Sequence, residues 1–592
     1  NKKSLLAGIN SSEFRFRESD FGHFPKGLLY GIQCLDSWLY DDMKPFLHLE
    51  ALDTYKFLKE QVDTDYFEQL IQKYLIDNTH ASVVIIEPCR GLNAKNEAEL
   101  EKKLAAYKES LSDAQIAQLI ADTKHLAEYQ ETPSPKEDLE KIPMLSRADM
   151  KKEAAPFYNE EKKIDDVTVV HHNIFSNGII YLSLLFDIEH IPAEDIPYLG
   201  ILKGVLGYMD TEHYTYADFA NEVNIHTGGI GSSIGIYPGT KTQNDYKAKF
   251  EVRAKALPDE IKTAVHLMEE MLFGSKFEDE KRLYEIIAEL KSRLQVSISS
   301  AGHSVASTRA MSYFSKAAAY KDSIQFYELL CDLEAHFEEK KEMLTAKLRT
   351  MTKQIFTREN LICSVTCDEN GYSNAKAALE SFLPKLFATV DRWGKTEIIP
   401  EKKNEGFMDA SQVMYVARAG NFRAHGYDYT GALRILKVIM EYDYLWINIR
   451  VKGGAYGCMN GYMKNGDTYF ASYRDPNLEK TNEIYNKIPD YIEHFTADER
   501  DMTKYIIGTL SDLDIPMNPS TKGDRSMAAY LQDISYDEVQ KERDQILTAT
   551  QEDIRGLKDM IASVLEENNL CAVGNEEVLQ AGKEMFMELK HF

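Results

Sequence analysis

The sequence is short of the features that mark several functional classes. Its longest apolar stretches, such as "GIIYLSLLF", fall far below the about 20 residues that a membrane helix needs, and "NKKSLLAGIN" lacks the basic-then-apolar build of a signal peptide. A soluble protein with no membrane partner is expected. The sequence opens on Asn, so an address carried further upstream would not be visible. Basic residues are outnumbered, 69 Lys and Arg against 95 Asp and Glu, for a formal charge of −26. Neutralising phosphates needs a basic face and no basic cluster appears, which argues against a nucleic-acid partner. Seven cysteines, scattered, form neither a disulfide framework nor zinc knuckles. Cys363 and Cys367 lie four apart in the strand-like "LICSVTC", on one face but too distant for one metal, and read as buried thiols.

What is present is a globular composition over 592 residues, 44% hydrophobic and 28% charged, enough for three or four domains. Three segments share one pattern, an amphipathic helix followed by a β-rich run: "YFEQLIQKYLIDNTHASVVIIEP" from Tyr66, "KEMLTAKLRTMTKQIFTRENLICSVTC" from Lys341 and "QEDIRGLKDMIASVLEENNLCAVGN" from Gln551. Related stretches precede them: "FPKGLLYGIQCLDSWLY", "GHSVASTRAMSYFS" and "TKGDRSMAAYLQDIS". The last two copies lie about 210 residues apart, the size of a domain and not of a solenoid repeat. The first copy ends near residue 87, so the expectation is a chain that enters inside a domain whose earlier part lies outside this sequence.

Between the first two copies, "NEAELEKKLAAYKESLSDAQIAQLIADTKHLAEYQ" reads as two antiparallel helices joined at residues 110–113, with Asp113 as N-cap, and a Pro-containing linker comes next. Within the full units, "DVTVVHHNIFSNGIIYLSLLFDI" gives two strands about a turn, "GSSIGIYPGTKTQNDYKAKFEVRAKAL" a hairpin, and long helices come after it. Strands followed by runs of helices predict an α+β fold: repeated domains of antiparallel-rich sheet with helices on one face, two complete copies plus part of a third, joined by a helical hairpin. The expected divisions are 1–95 (the end of one domain), 96–165 (hairpin and linker), 166–392 and 393–592.

The stretch "RVKGGAYG" is where chemistry is expected. The spacing of Leu433, Leu436, Met440, Tyr444 and Ile447 predicts one helix over residues 431–452, with Arg450 in its last turn and Gly453 as a left-handed cap. A hairpin closed by Asn465 and Gly466 is expected next, opened by Tyr456. Two glycines let a partner's backbone come close, so Arg450 and Tyr456 can converge as an anion-stabilising pair. The same residues also suit a tight joint, with Arg450 complementing the helix dipole and Tyr456 packing.

"IRVKGGAYG" with "YRDPN", "EFRFRESDFGHFPKGL" and "HTGGIGSSIGIYPG" closely resembles the pitrilysin and insulinase group of inverzincin metalloproteases, in its presequence-protease-like branch, over nearly the whole chain. The resemblance implies four homologous domains paired into two halves that close around unfolded peptides, this chain holding the end of the second domain, the hairpin and the third and fourth domains. It implies a zinc ion held by H-x-x-E-H in an N-terminal half, the partner of this chain, and catalytic roles for Arg450 and Tyr456 there, with Gly453 and Gly454 beside the substrate. No H-x-x-E-H occurs in this sequence; "HLAEY" from His125 and "HFEEK" from His336 each lack the second histidine. The helix "IPYLGILKGVLGYM" matches the zinc helix in position but carries Leu199, Ile201 and Lys203, as in a degenerate copy. No set of three ligands at usable spacing is visible, so no metal is expected in this chain, which alone should be inert. The alternative is a non-catalytic structural or peptide-binding paralogue of the processing-protease type. A bacterial cytoplasm is the expected compartment, with a mitochondrial matrix as the alternative.

Overall fold

The computed structural model describes residues 1–132, 134–388 and 397–592. The described residues divide into two compact units, Asn1–Asp63 with Arg147–Phe592, and Thr64–Ser146. The segment expected as one piece over residues 1–95 is thus shared between them, and the expected boundary at 392/393 lies outside the described residues.

The larger unit is built on two six-stranded sheets. The first uses β1 (Glu160–Ile164), β2 (Val167–Asn173), β3 (Ile180–Asp187), β4 (Gly229–Pro238), β5 (Tyr246–Ala256) and β6 (Leu361–Cys367), in the order β1-β2-β6-β3-β5-β4. The second uses β7 (Glu405–Asp409), β8 (Met414–Asn421), β9 (Gly457–Tyr462), β10 (Asp467–Tyr473), β11 (Asn569–Asn575) and β12 (Glu588–His591), in the order β12-β7-β11-β8-β10-β9. Leaving out the outermost β1 and β12, the two orders are the same. In each, the last strand of the unit inserts parallel beside the first and antiparallel beside the second. The two strands read about a turn, β2 and β3, are therefore not partners; β6 lies between them. The repeat seen in the sequence is a repeat of topology, an α+β fold with mixed sheets.

Side chains alternate across a strand, so each sheet has two faces. In the first sheet Leu182, Leu184 and Phe186 enter the core formed with that unit's own helices, such as Ile261–Phe273 and Phe337–Ile355. Leu185 and Val170 point the other way and meet Met527 and Leu531 from the helix Pro519–Leu531 of the second repeat. The second sheet does the reciprocal. Val416 and Phe470 face its own helices, while Tyr415, Ala417 and Val573 pack against Val305, Ala306 and Ala310 of the helix Gly302–Ser312. Both crossing helices come from the related stretches noted in the sequence, and each brings a glycine to the contact. A Cβ on Gly302 would overlap the Tyr415 ring, and one on Gly523 would overlap Thr366.

The helix Lys2–Glu18 lies against Tyr216–His226, where Phe14 covers Gly228, Lys3 pairs with Glu222 at 2.7 Å and Lys255 with Glu18 at 2.5 Å.

In the smaller unit, the first copy of the repeat forms a helix, Tyr66–Ile71, continuing as a π-helical turn, Gln72–Ile76. The β-rich run after it pairs with no strand among the described residues; Val83, Val84, Ile85 and Ile86 are 79–89% exposed. The hairpin helices are Leu92–Ser110 and Asp113–Glu131. Ser112, not Asp113, is the N-cap, because its hydroxyl closes a capping box with Gln115, while Asp113 occupies the first helical position. No helix among the described residues is long and apolar enough to cross a membrane.

Candidate functional site

The segment leading to Arg450 is helical as expected, but not uniformly. An α-helix, Ala432–Ile439, gives way to π-helical turns, Met440–Tyr444 and Trp446–Val451. The cap is displaced accordingly. Gly454 N–H donates to Arg450 O at 2.9 Å and Ala455 N–H to Ile449 O at 3.0 Å, each bond spanning one residue more than in the usual Schellman pair. Gly454, at φ 83°, is therefore the left-handed residue, not Gly453. Gly453 is needed for another reason: a Cβ there would run into the helix carbonyls of Ile449 and Asn448.

The joint is held from the far side by "YRDPN". Asn477 Nδ2 donates to Gly453 O at 2.7 Å, and Asp475, fully buried, accepts from Asn477 N–H at 2.9 Å and Thr481 Oγ1 at 2.6 Å. The hairpin of β9 and β10 turns at Gly466 as the sequence indicated. Tyr456 lies one residue ahead of β9 and donates its N–H to Tyr473 O at 3.0 Å.

These constraints bring Arg450 and Tyr456 together. Arg450 Nη1 donates to the Tyr456 carbonyl at 2.5 Å, and the guanidinium carbon lies 4.2 Å from the Trp446 ring centre and 5.3 Å from that of Tyr456. Stacking on two aromatic faces fixes the plane of the guanidinium while leaving most of its five donors for another acceptor. Tyr456 is 66% exposed, its ring edge-on to Tyr473 at 5.9 Å, and its hydroxyl bonds to nothing among the described residues. A fixed cation and an unspent phenol side by side can bind carbonyl oxygens and stabilise negative charge that develops on one of them. Trp446 and Asn477 are supports that sequence reasoning misses. Trp446 is signalled only by its place one turn before Arg450.

The chain's own residues do not fit the zinc site of the resemblance. His125 is exposed in the hairpin, His336 bonds Asp332, and in the helix Ile196–Val205 Leu199 and Ile201 are buried apolar side chains. No set of three ligands is visible at usable sequence spacing, but the fold brings one group of possible ligands together elsewhere. Among the described residues, ligand atoms of Glu160, His171 and Glu369 lie within 4.8 Å of one another. Two come from consecutive paired strands and the third from a helix nearly 200 residues further on, so no spacing rule could find the set.

Residues 86–333 match the model of the region associated with subfamily C of peptidase family M16, and residues 404–576, including Arg450 and Tyr456, match "PreP C-terminal domain". The chain is 39% identical over its whole length to "Protein HypA" of Clostridium perfringens, covering 61% of that protein, and 28% identical over 99% of its length to "Presequence protease 1, chloroplastic/mitochondrial" of Arabidopsis thaliana, covering 55%. It thus spans less than two thirds of the length of these relatives. The crystal structure of a protease from Helicobacter pylori shares the fold, with a TM-score of 0.50 at 11% identity over 71% of this chain and 100% of that one. Over the stretches that hold its two repeated sheets and its glycine-rich joint, the chain is similar to presequence-protease-like proteins of peptidase family M16.

Proposed function

We propose that this chain is the C-terminal half of a zinc-dependent oligopeptidase that degrades unfolded peptides in a closed chamber, and that it supplies Arg450 and Tyr456 to a zinc site held by an N-terminal half. The observation that carries the reading is the pair of half-buried Arg450 and exposed Tyr456, fixed by stacking on Trp446 and by the clamped glycine joint. Zinc would polarise the scissile carbonyl and activate water, and its ligands belong to the other half. Tyr456 donates its hydroxyl to a substrate oxygen as that oxygen gains negative charge, and Arg450 holds a backbone carbonyl of the peptide. Gly453 and Gly454 leave no side chain between peptide and pair. The unpaired apolar run at residues 83–86 supports an N-terminal partner, because such a strand is stable only when a sheet takes it up. The 39% identical relative is bacterial, which supports a bacterial cytoplasm over a mitochondrial matrix.

The test is cleavage of a quenched fluorescent peptide by the chain alone and with the N-terminal half added. The expected result is no cleavage alone and chelator-sensitive cleavage by the pair. Activity of the chain alone rejects the reading, and an inert pair rejects it in favour of a non-catalytic paralogue.

A further inference from the structure

Outside the glycine joint, one fully buried histidine has a ring nitrogen without a hydrogen-bond partner. His171 sits near the end of β2 and is 0% exposed. Its Nε2 lies 3.1 Å from the backbone carbonyl of Cys367, which can only accept, so the proton is on Nε2 and Nδ1 presents a lone pair. The ring is stacked on Tyr372, with centroids 4.4 Å apart, which fixes its plane. Nδ1 has no hydrogen-bond partner. The neighbouring His172, equally buried, differs: its Nδ1 donates to Tyr158 O at 2.9 Å and its Nε2 accepts from Ser364 Oγ at 3.0 Å.

The free lone pair faces two carboxylates. Glu160 is the register partner of His171 across β1 and β2, so their side chains stand on the same face, and its Oε2 lies 3.7 Å from Nδ1. β6 runs parallel to β2 and ends at Cys367, after which Glu369 opens the helix Glu369–Phe382 with its Oε2 3.8 Å from Nδ1. Nδ1 and the two carboxylates converge, and nothing among the described residues donates a proton to Nδ1. Lys162 Nζ reaches the carboxylates, 3.3 Å from Glu369 and 3.7 Å from Glu160, and lies 4.1 Å from the centre of the Tyr372 ring. It offsets their charge without bonding Nδ1.

We propose that Glu160, His171 and Glu369 bind one divalent transition-metal ion of the zinc class at this end of the first sheet. Bonds of about 2.0–2.2 Å would set tetrahedral ligand atoms about 3.4 Å apart, so small rotations of the two carboxylates close the site. Their side chains are 51% and 66% exposed and free to make them. The imidazole nitrogen favours zinc, cobalt or nickel over magnesium or calcium, which take oxygen ligands. The Nε2–H to carbonyl bond is the outer support that ligating histidines commonly have. Cys367 Sγ lies 4.0 Å from His171 Nε2, on the side of the ring away from the carboxylates, and is not a ligand. The exposed side of the cluster leaves a fourth position for water.

The test is titration of the chelator-stripped chain with Zn2+, and with Co2+ as an optical probe. One equivalent should bind, with the visible absorption of four-coordinate cobalt. Glu160→Gln and Glu369→Gln lie at the surface and should leave the fold intact, yet each should weaken binding by at least about 100-fold, the upper end of what loss of an outer support costs. Lys162→Met removes the competing cation and should tighten binding by at least about tenfold. No stoichiometric binding, or binding indifferent to both glutamine variants, overturns the site; so does weaker binding in Lys162→Met. The readout is metal occupancy of this chain alone, and its result is independent of any peptidase activity.

Discussion

A tyrosine that only packs would lose little with its hydroxyl, whereas one that donates to a developing oxyanion loses an interaction made only in the transition state. Tyr456→Phe, measured in the chain completed by its N-terminal half, should therefore lower kcat and kcat/KM together by about 10²–10³ and leave KM almost unmoved. Arg450→Ala should differ by raising KM as well, since the guanidinium also holds the peptide in the ground state. Steady-state kinetics, with zinc content matched between variants, separates the two. An unchanged kcat in Tyr456→Phe would reduce the motif to a joint in the fold. At this scale the sequence is legible where partners are near neighbours. Arg450 and Tyr456 lie six apart and converge as expected, whereas the roles of Gly453 and Gly454 are exchanged. An α-helical period cannot register π turns, and each π turn shifts every later position by one residue. The Glu160, His171 and Glu369 cluster is illegible because strand register and sheet order bring it together, and neither is written locally.

At the scale of elements, each repeat sends one helix onto the other's sheet, and a glycine lets each backbone approach. Gly302→Ala would press a methyl into the Tyr415 ring, whose own hydroxyl donates to Ser299 O at 2.8 Å and so cannot easily give way. Overpacking of this kind costs about 1–3 kcal/mol, to be read as a lowered urea midpoint at unchanged slope. The same contact carries a buried ion cluster: Arg309 donates to both oxygens of Glu405, at 2.7 and 2.9 Å, and to Asp322, and Lys590 reaches Glu405 at 3.1 Å. Burial pushes the Glu405 carboxyl up, but the two cations outweigh it and hold the group below its usual range. Its unfolded value, about 4.3, is then the higher one, so its stabilisation is complete above that pH and is lost as pH falls through the folded value. Glu405→Gln should cost about 3 kcal/mol at pH 7, the low end for breaking a buried pair because Asp322 still partners Arg309. The gap from wild type should narrow below about pH 4 as the native carboxyl protonates. Urea denaturation at both pH values measures this, and a gap that stays constant would mean that Glu405 contributes shape and not charge. The repeated helix-then-strand pattern is legible in the sequence. The insertion of the last strand between the first two is not, since it is a pairing between residues nearly 200 apart.

For the whole molecule, the deciding segment is the apolar run Val83, Val84, Ile85 and Ile86. A domain entered part-way would leave all of residues 1–95 weakly held, but Phe14, Lys3 and Glu18 tie the first helix to the larger unit. Beyond that helix Phe24, Leu28, Ile32, Trp38, Tyr40 and Met43 stand at 50–89% exposure, and in the run after Ile76 four β-branched residues stand at 79–89%, their backbone unpaired among the described residues. β-branched residues in succession are costly to leave in water and well suited to a strand buried on both faces, as the corresponding β6 and β11 are in the other two copies. If an N-terminal half supplies the sheet, this run is its missing last strand. Amide exchange over residues 81–87 should then be fast in the chain alone and slow on adding that half, while β6 and β11 stay protected in both states. Val84→Asp and Ile86→Asp, which alter only exposed side chains here, should leave the circular dichroism of the chain unchanged and weaken association with the N-terminal half. Strong protection of residues 81–87 in the isolated monomer would show the run already paired, and no gain in protection on adding the partner would show that its exposed face serves something other than completion of a sheet.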